Sequence, residues 1–167
     1  LFPYTTLFRS QQLAVNVVPD GKLPPSSDPQ PKPDVFMTMN VSERSPRINE
    51  PVVLECKLYT TSLADSLANM EQLISSDDFK IEPIDLRGSA WQIEHRNGKN
   101  YQVAVFRKLL LYPLRAGELR IGDLYMDVYI RRYNLSSDPF EAFFEDGNNQ
   151  FVKQRVNCQG ITLHAHE

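Results

Sequence analysis

Cysteine is scarce: Cys56 and Cys158 are the only two in 167 residues. They form no C-x-x-C pair, which excludes a zinc ribbon and a thioredoxin-like motif; one disulfide at most is allowed, and spacing does not say whether it forms. No apolar run reaches the roughly 18 residues that a membrane span requires. Positive charge is not in excess: 18 Lys and Arg stand against 21 Asp and Glu, for a net −3. No electrostatic footprint for nucleic acid exists at the level of the whole chain. The sequence also lacks G-x-S-x-G, H-E-x-x-H, a P-loop and G-x-G-x-x-G. Of three histidines, His95 sits beside a turn and reads as a surface residue. His164 and His166 have a formal metal-ligand spacing, yet a two-histidine cluster near the end of a strand reads as a solvated edge. Asp77 and Asp78 are adjacent, so on extended chain their carboxylates diverge. The sequence is therefore read as non-enzymatic, with no catalytic residue, cofactor or metal.

Apolar residues make up 41% of the chain, enough for a core. The length suits one domain of common size plus a tail. Residues 11–18 alternate at Leu13, Val15 and Val17 and read as the last strand of a preceding domain. Residues 19–33 hold six prolines, which interrupt any ladder and make an extended linker. The domain proper is then expected over 34–167.

Its dominant signal is period two. Val35–Glu43 is rich in β-forming residues, and RSPRINEP makes a turn. In Val52–Thr60, Leu54, Cys56 and Leu58 fall on one face, with Val53, Glu55, Lys57 and Tyr59 on the other. The segment TSLADSLANMEQLI is ambiguous. Leu63, Leu67, Met70 and Ile74 fit a helical stripe, and irregular chain crossing between sheets fits as well. Asn97-Gly98 between two β-rich runs predicts a type I′ hairpin. Trp91, which precedes it, reads as a core or hairpin-packing residue. Pro113 ends a strand, Gly117 permits a turn, and Leu119 and Ile121 begin the next strand. FVKQRVNC, a break at Gly160 and Ile161–Ala165 close the chain. Seven or eight short strands argue an all-β fold, an immunoglobulin-like antiparallel β-sandwich.

One insert departs from this pattern. In SSDPFEAFFEDG, Asp138 suits an N-cap, Pro139 the first helical position and Gly147 the stop. Phe140, Phe143 and Phe144 would share one face of a short helix, rimmed by Glu141, Glu145 and Asp146. Two readings stay open: a lid folded onto the sandwich, or an exposed apolar patch with an acidic rim, which is what a partner-docking site looks like. The six residues Phe140, Glu141, Phe143, Phe144, Glu145 and Asp146 are the candidate partner-binding site.

The order of these features resembles the BatD family of Bacteroides-type aerotolerance proteins over about residues 34–167. The pieces that carry the resemblance are Lys57-Leu58-Tyr59-Thr60, Tyr112-Pro113 with Gly117-Glu118-Leu119, and Asp138-Pro139-Phe140-Glu141-Ala142-Phe143-Phe144. The family has a Gly-Glu pair in its first turn, where this chain has Asn49-Glu50; Asn also tolerates positive φ. The resemblance implies a periplasmic protein with several immunoglobulin-like domains, held at the inner membrane by an anchor outside this sequence, with a role in oxidative or envelope stress. It implies other Bat proteins as partners, including membrane proteins with von Willebrand A domains. No catalytic residue carries over. Such A domains hold a Mg²⁺ that a partner carboxylate completes, and Glu141, Glu145 or Asp146 could supply that oxygen. The first ten residues, LFPYTTLFRS, have no helical or strand period and resemble a translated sequencing adapter, so they are set aside. The alternatives are a carbohydrate-binding or adhesive module, for which Tyr125 and Tyr129 are the candidate aromatic row, and an accessory domain of a larger enzyme.

Overall fold

A computed structural model describes residues 32–131 and 151–167, all within the compact unit Lys32–Glu167. Nine strands run in chain order: β1 (Val35–Val41), β2 (Val52–Thr60), β3 (Ala64–Ile74), β4 (Phe79–Pro83), β5 (Gln92–Arg96), β6 (Lys99–Pro113), β7 (Gly117–Arg131), β8 (Phe151–Cys158) and β9 (Ile161–Ala165). No helix occurs among the described residues. The expected helical insert, Asp138 to Gly147, and residues 1–31 lie outside them.

Two antiparallel sheets form a β-sandwich. The first has the order β1-β2-β6-β4, with β5 paired to the other half of β6; the second has the order β3-β7-β8, with β9 also on β7. In immunoglobulin notation this is A-B-E-D facing C-F-G, the constant-type connectivity, with β5 added as a hairpin arm. Strand alternation buries one side of each sheet. Val35, Met37 and Met39 of β1, and Leu54, Cys56 and Leu58 of β2, face Leu124, Met126, Val128 and Ile130 of β7 in one continuous core. The inter-sheet disulfide of antibody domains has no counterpart, since Cys56 lies on β2 and Cys158 on β8, and both thiols are free.

Local chemistry fixes the turns. Asn97 (φ 51°) and Gly98 (φ 74°) close the expected I′ hairpin, with Arg96 paired to Lys99. Asn49 takes φ 62° in the first turn, a left-handed conformation that asparagine tolerates. β8 and β9 act as one interrupted strand. Both pair with β7, on either side of Gly122-Asp123, and the Asp123 carboxylate accepts the Gly160 N–H at 2.7 Å where the chain breaks.

The ambiguous segment is a strand, β3, and its helix-like apolar stripe does not coincide with the face it buries. Its pairing with β7 shifts between Ala64 and Ser66, between Ala68 and Glu71, and between Gln72 and Ile74. Each shift changes which face the next residues occupy, so the less exposed positions are Ala64, Ala68, Gln72 and Ile74, while Leu63, Leu67 and Met70 of the helix-like stripe are exposed. Asn69, at φ 50°, sits inside the middle irregularity.

Candidate docking surfaces

The six residues expected to bind a partner, Phe140, Glu141, Phe143, Phe144, Glu145 and Asp146, lie outside the described residues. The segment that contains them joins two neighbouring strand ends, because Arg131 of β7 pairs with Phe151 of β8.

Large apolar side chains are unevenly distributed over the surface. Leu63, Leu67, Met70 and Leu73 are exposed on or beside β3, Ile81 on β4, and Trp91 and Ile93 at β5; Leu114 and Tyr125 complete the set. Seven of these nine sit on, or one residue before, the strands that border one side of the sandwich. The opposite side is shut, since β1 packs along β8, and no packing of that extent joins β3 to β4 or β5. Trp91 is 48% exposed, contrary to its sequence reading as a packed residue. It precedes the hairpin arm instead of lying beneath it.

Polar chemistry gathers on the outer faces. On the second sheet, Asp127 is only 2% exposed although it points away from the core. Its cover is one side chain deep. Asn69 Nδ2 donates to it at 2.7 Å and Arg155 at 3.1 Å, with Lys153 Nζ at 3.5 Å. These contacts, the Asn69 bond foremost, hold the Asp127 carboxyl below the usual range. Arg155 also pairs with Glu71 and lies over the Tyr125 ring. Tyr125 and Tyr129 therefore flank an internally satisfied ion network, with one ring already under a guanidinium.

On the first sheet, Phe36 stacks on Tyr59 with centroids 4.7 Å apart, and Tyr101 meets both rings edge-on. The Arg96 guanidinium lies 5.5 Å from the Phe36 centroid and 5.4 Å from that of Tyr59. The Tyr101 hydroxyl donates to Asp34 at 2.7 Å, and Lys99 approaches the same oxygen at 3.1 Å. The tyrosine bond, followed by the lysine bond, lowers the Asp34 pKa. This cluster pins the hairpin to the start of β1.

Nucleophiles and metal ligands are not assembled into a site among the described residues. Burial pushes the Cys56 thiol up to about 11, and Cys158 is raised for the same reason. No three His, Cys, Asp or Glu side chains gather there. His95 Nδ1 lies 2.8 Å from Asn100 Oδ1, and His164 lies 3.8 Å from Glu118. The Asp127 network went unread in the sequence because it joins three strands; the signal available was an Asp alternating with Tyr125 and Tyr129. The chain matches no family model, no curated protein and no solved structure in comparisons with known proteins.

Proposed function

We propose that this domain is a non-catalytic protein-interaction module of a membrane-anchored periplasmic protein resembling the BatD family, and that it docks partners such as von Willebrand A-domain proteins. One observation carries the docking reading: the exposed large apolar residues concentrate on the open side of the sandwich, between β3 and the β4–β5 arm. Apolar residues scattered singly need no explanation, whereas a concentration along one border marks a contact surface. The sequence resemblance supports the choice of partner and compartment.

The test is a calorimetric titration of the 167-residue chain with a purified von Willebrand A domain of a Bat protein, in Mg²⁺. The expected result is saturable binding, weakened by Leu67→Glu and by Leu73→Glu. A flat titration, or affinity indifferent to both substitutions, overturns the reading. Charge reversal at Glu141, Glu145 and Asp146 probes the acidic contact separately.

A further inference from the structure

A sheet edge is a row of unpaired backbone donors and acceptors, so each edge must be closed, broken or used. β1 and β8 lie side by side across the two sheets, each covering the other's flank, with no backbone–backbone bond between them among the described residues. β9 is covered by the turn that precedes β2: His164 N–H donates to Arg44 O at 2.8 Å, His166 N–H to Pro46 O at 3.0 Å, and Ile48 N–H to His166 O at 2.9 Å. β3 is broken by three register shifts. β4 carries Lys80, ion-paired to Glu82 at 2.8 Å, and ends on Pro83, two devices that blunt an edge. β5 is different. Its five residues pair with β6 without a shift, from Gln92 with Val103 to Arg96 with Lys99. Among the described residues nothing pairs with its other side.

The turn type says which backbone groups are free. In a two-residue I′ hairpin the pair flanking the turn, Arg96 and Lys99, exchanges both of its hydrogen bonds, and such pairs alternate along the ladder. Arg96, Glu94 and Gln92 therefore bond inward to β6. Ile93 and His95 turn their N–H and C=O outward. Ile93 is also 77% exposed and stands beside the exposed Trp91. Glu94 is half-buried and has no ion pair among the described residues. Arg96 is committed to the Phe36 and Tyr59 rings.

We infer that β5 is a strand-addition site for an extended segment of a partner protein, one that places apolar side chains opposite Ile93 and His95 and a lysine or arginine opposite Glu94. This rests on the docking reading above and names the partner's chemistry. Main-chain bonds to Ile93 and His95 supply the attachment, and alternate side chains supply the selection. The unanswered Glu94 carboxylate selects the cation, since opposite charges across a strand pair stabilise and like charges repel. The same point argues against a second copy. The two-fold register that uses every outward group of β5 is centred on Glu94 and sets two carboxylates against each other.

The test uses the 167-residue chain and the peptide acetyl-Ser-Thr-Thr-Val-Lys-Val-Thr-Thr-Ser-amide, with Glu in place of Lys as the control, followed by amide hydrogen exchange. The lysine peptide should bind more tightly, and at saturation it should slow exchange about tenfold at Ile93 and His95 but not at Gln92 or Glu94, which are already bonded. Glu94→Lys, on a half-buried position that need not disturb the core, should reverse the preference between the two peptides. Equal binding of both peptides overturns the proposal. So does uniform slowing across β5, protection of Ile93 and His95 in the free chain, or self-association through β5. If the von Willebrand A-domain titration succeeds and is indifferent to Glu94→Lys while these peptide results fail, strand addition at β5 falls and the docking reading stands; a flat titration removes the docking reading itself.

Discussion

The two lateral sides of this sandwich are finished in opposite ways. On one side β1 lies along β8, and β9 is sealed by backbone bonds from the Arg44–Ile48 turn. On the other, β3, β4 and β5 end with free edges among the described residues and hold most of the exposed large apolar side chains. The same alternating strands produce both sides. What differs is the use of the outermost residues: they meet another strand on the closed side and solvent on the open one. Among the described residues, buried apolar packing belongs to the shared core and large apolar side chains are exposed on the open side.

The largest expected effect separates core from open side. Leu111→Ala removes a fully buried side chain from β6 and should cost about 3 kcal/mol in denaturant unfolding. Leu73→Ala truncates a side chain that is 79% exposed and should cost less than about 0.5 kcal/mol. Equal losses would erase the contrast.

Next comes the junction that lets β8 and β9 share β7. A Cβ at Gly160 would lie 2.2 Å from Ile121 O and 2.9 Å from Gly122 C, both backbone atoms of β7. Neither can swing aside as a flexible side chain would. Gly160→Ala should therefore destabilise by about 2 kcal/mol, in the range of overpacked sites. An alanine variant as stable as the parent would show that the junction has room to give.

The smallest effect concerns pH. The Asp127 carboxyl is held below its ordinary value of 3.8, so the folded state binds that proton less readily than the unfolded chain. Its contribution is fully present above the unfolded value and is lost as pH falls through the lower folded one. Asp127→Asn should leave stability less sensitive to pH below about 4, the unfolded carboxylate range. An unchanged acid limb would assign the sensitivity to other carboxylates, Asp34 among them.

Much of this fold was legible because its signals are local. Leu54, Cys56 and Leu58 alternate within one strand, Asn97-Gly98 encodes its own turn, and Pro113 and Gly117 bracket the β6–β7 corner. β3 was not legible, because its large apolar residues Leu63, Leu67 and Met70 are exposed and its inward positions are set by register shifts that exist only against β7. The exposure of Trp91 was hidden for a related reason. Aromatic content says that a residue can pack, while topology decides whether a neighbour is there. The outward groups of Ile93 and His95 follow from the hairpin type, but that they face solvent follows only from the absence of a second strand beside β5 among the described residues. The Asp127 network needs three strands at once, which no window of sequence contains.

Trp91 gives the most direct measurement of the open side, since it is the only tryptophan in the chain and borders β5. Its emission and its quenching by iodide should be recorded in the free 167-residue chain. The expected result is red-shifted emission that iodide quenches readily, as for a half-exposed indole. Blue-shifted emission resistant to iodide would mean that this side is filled in the free chain, contradicting the open docking surface.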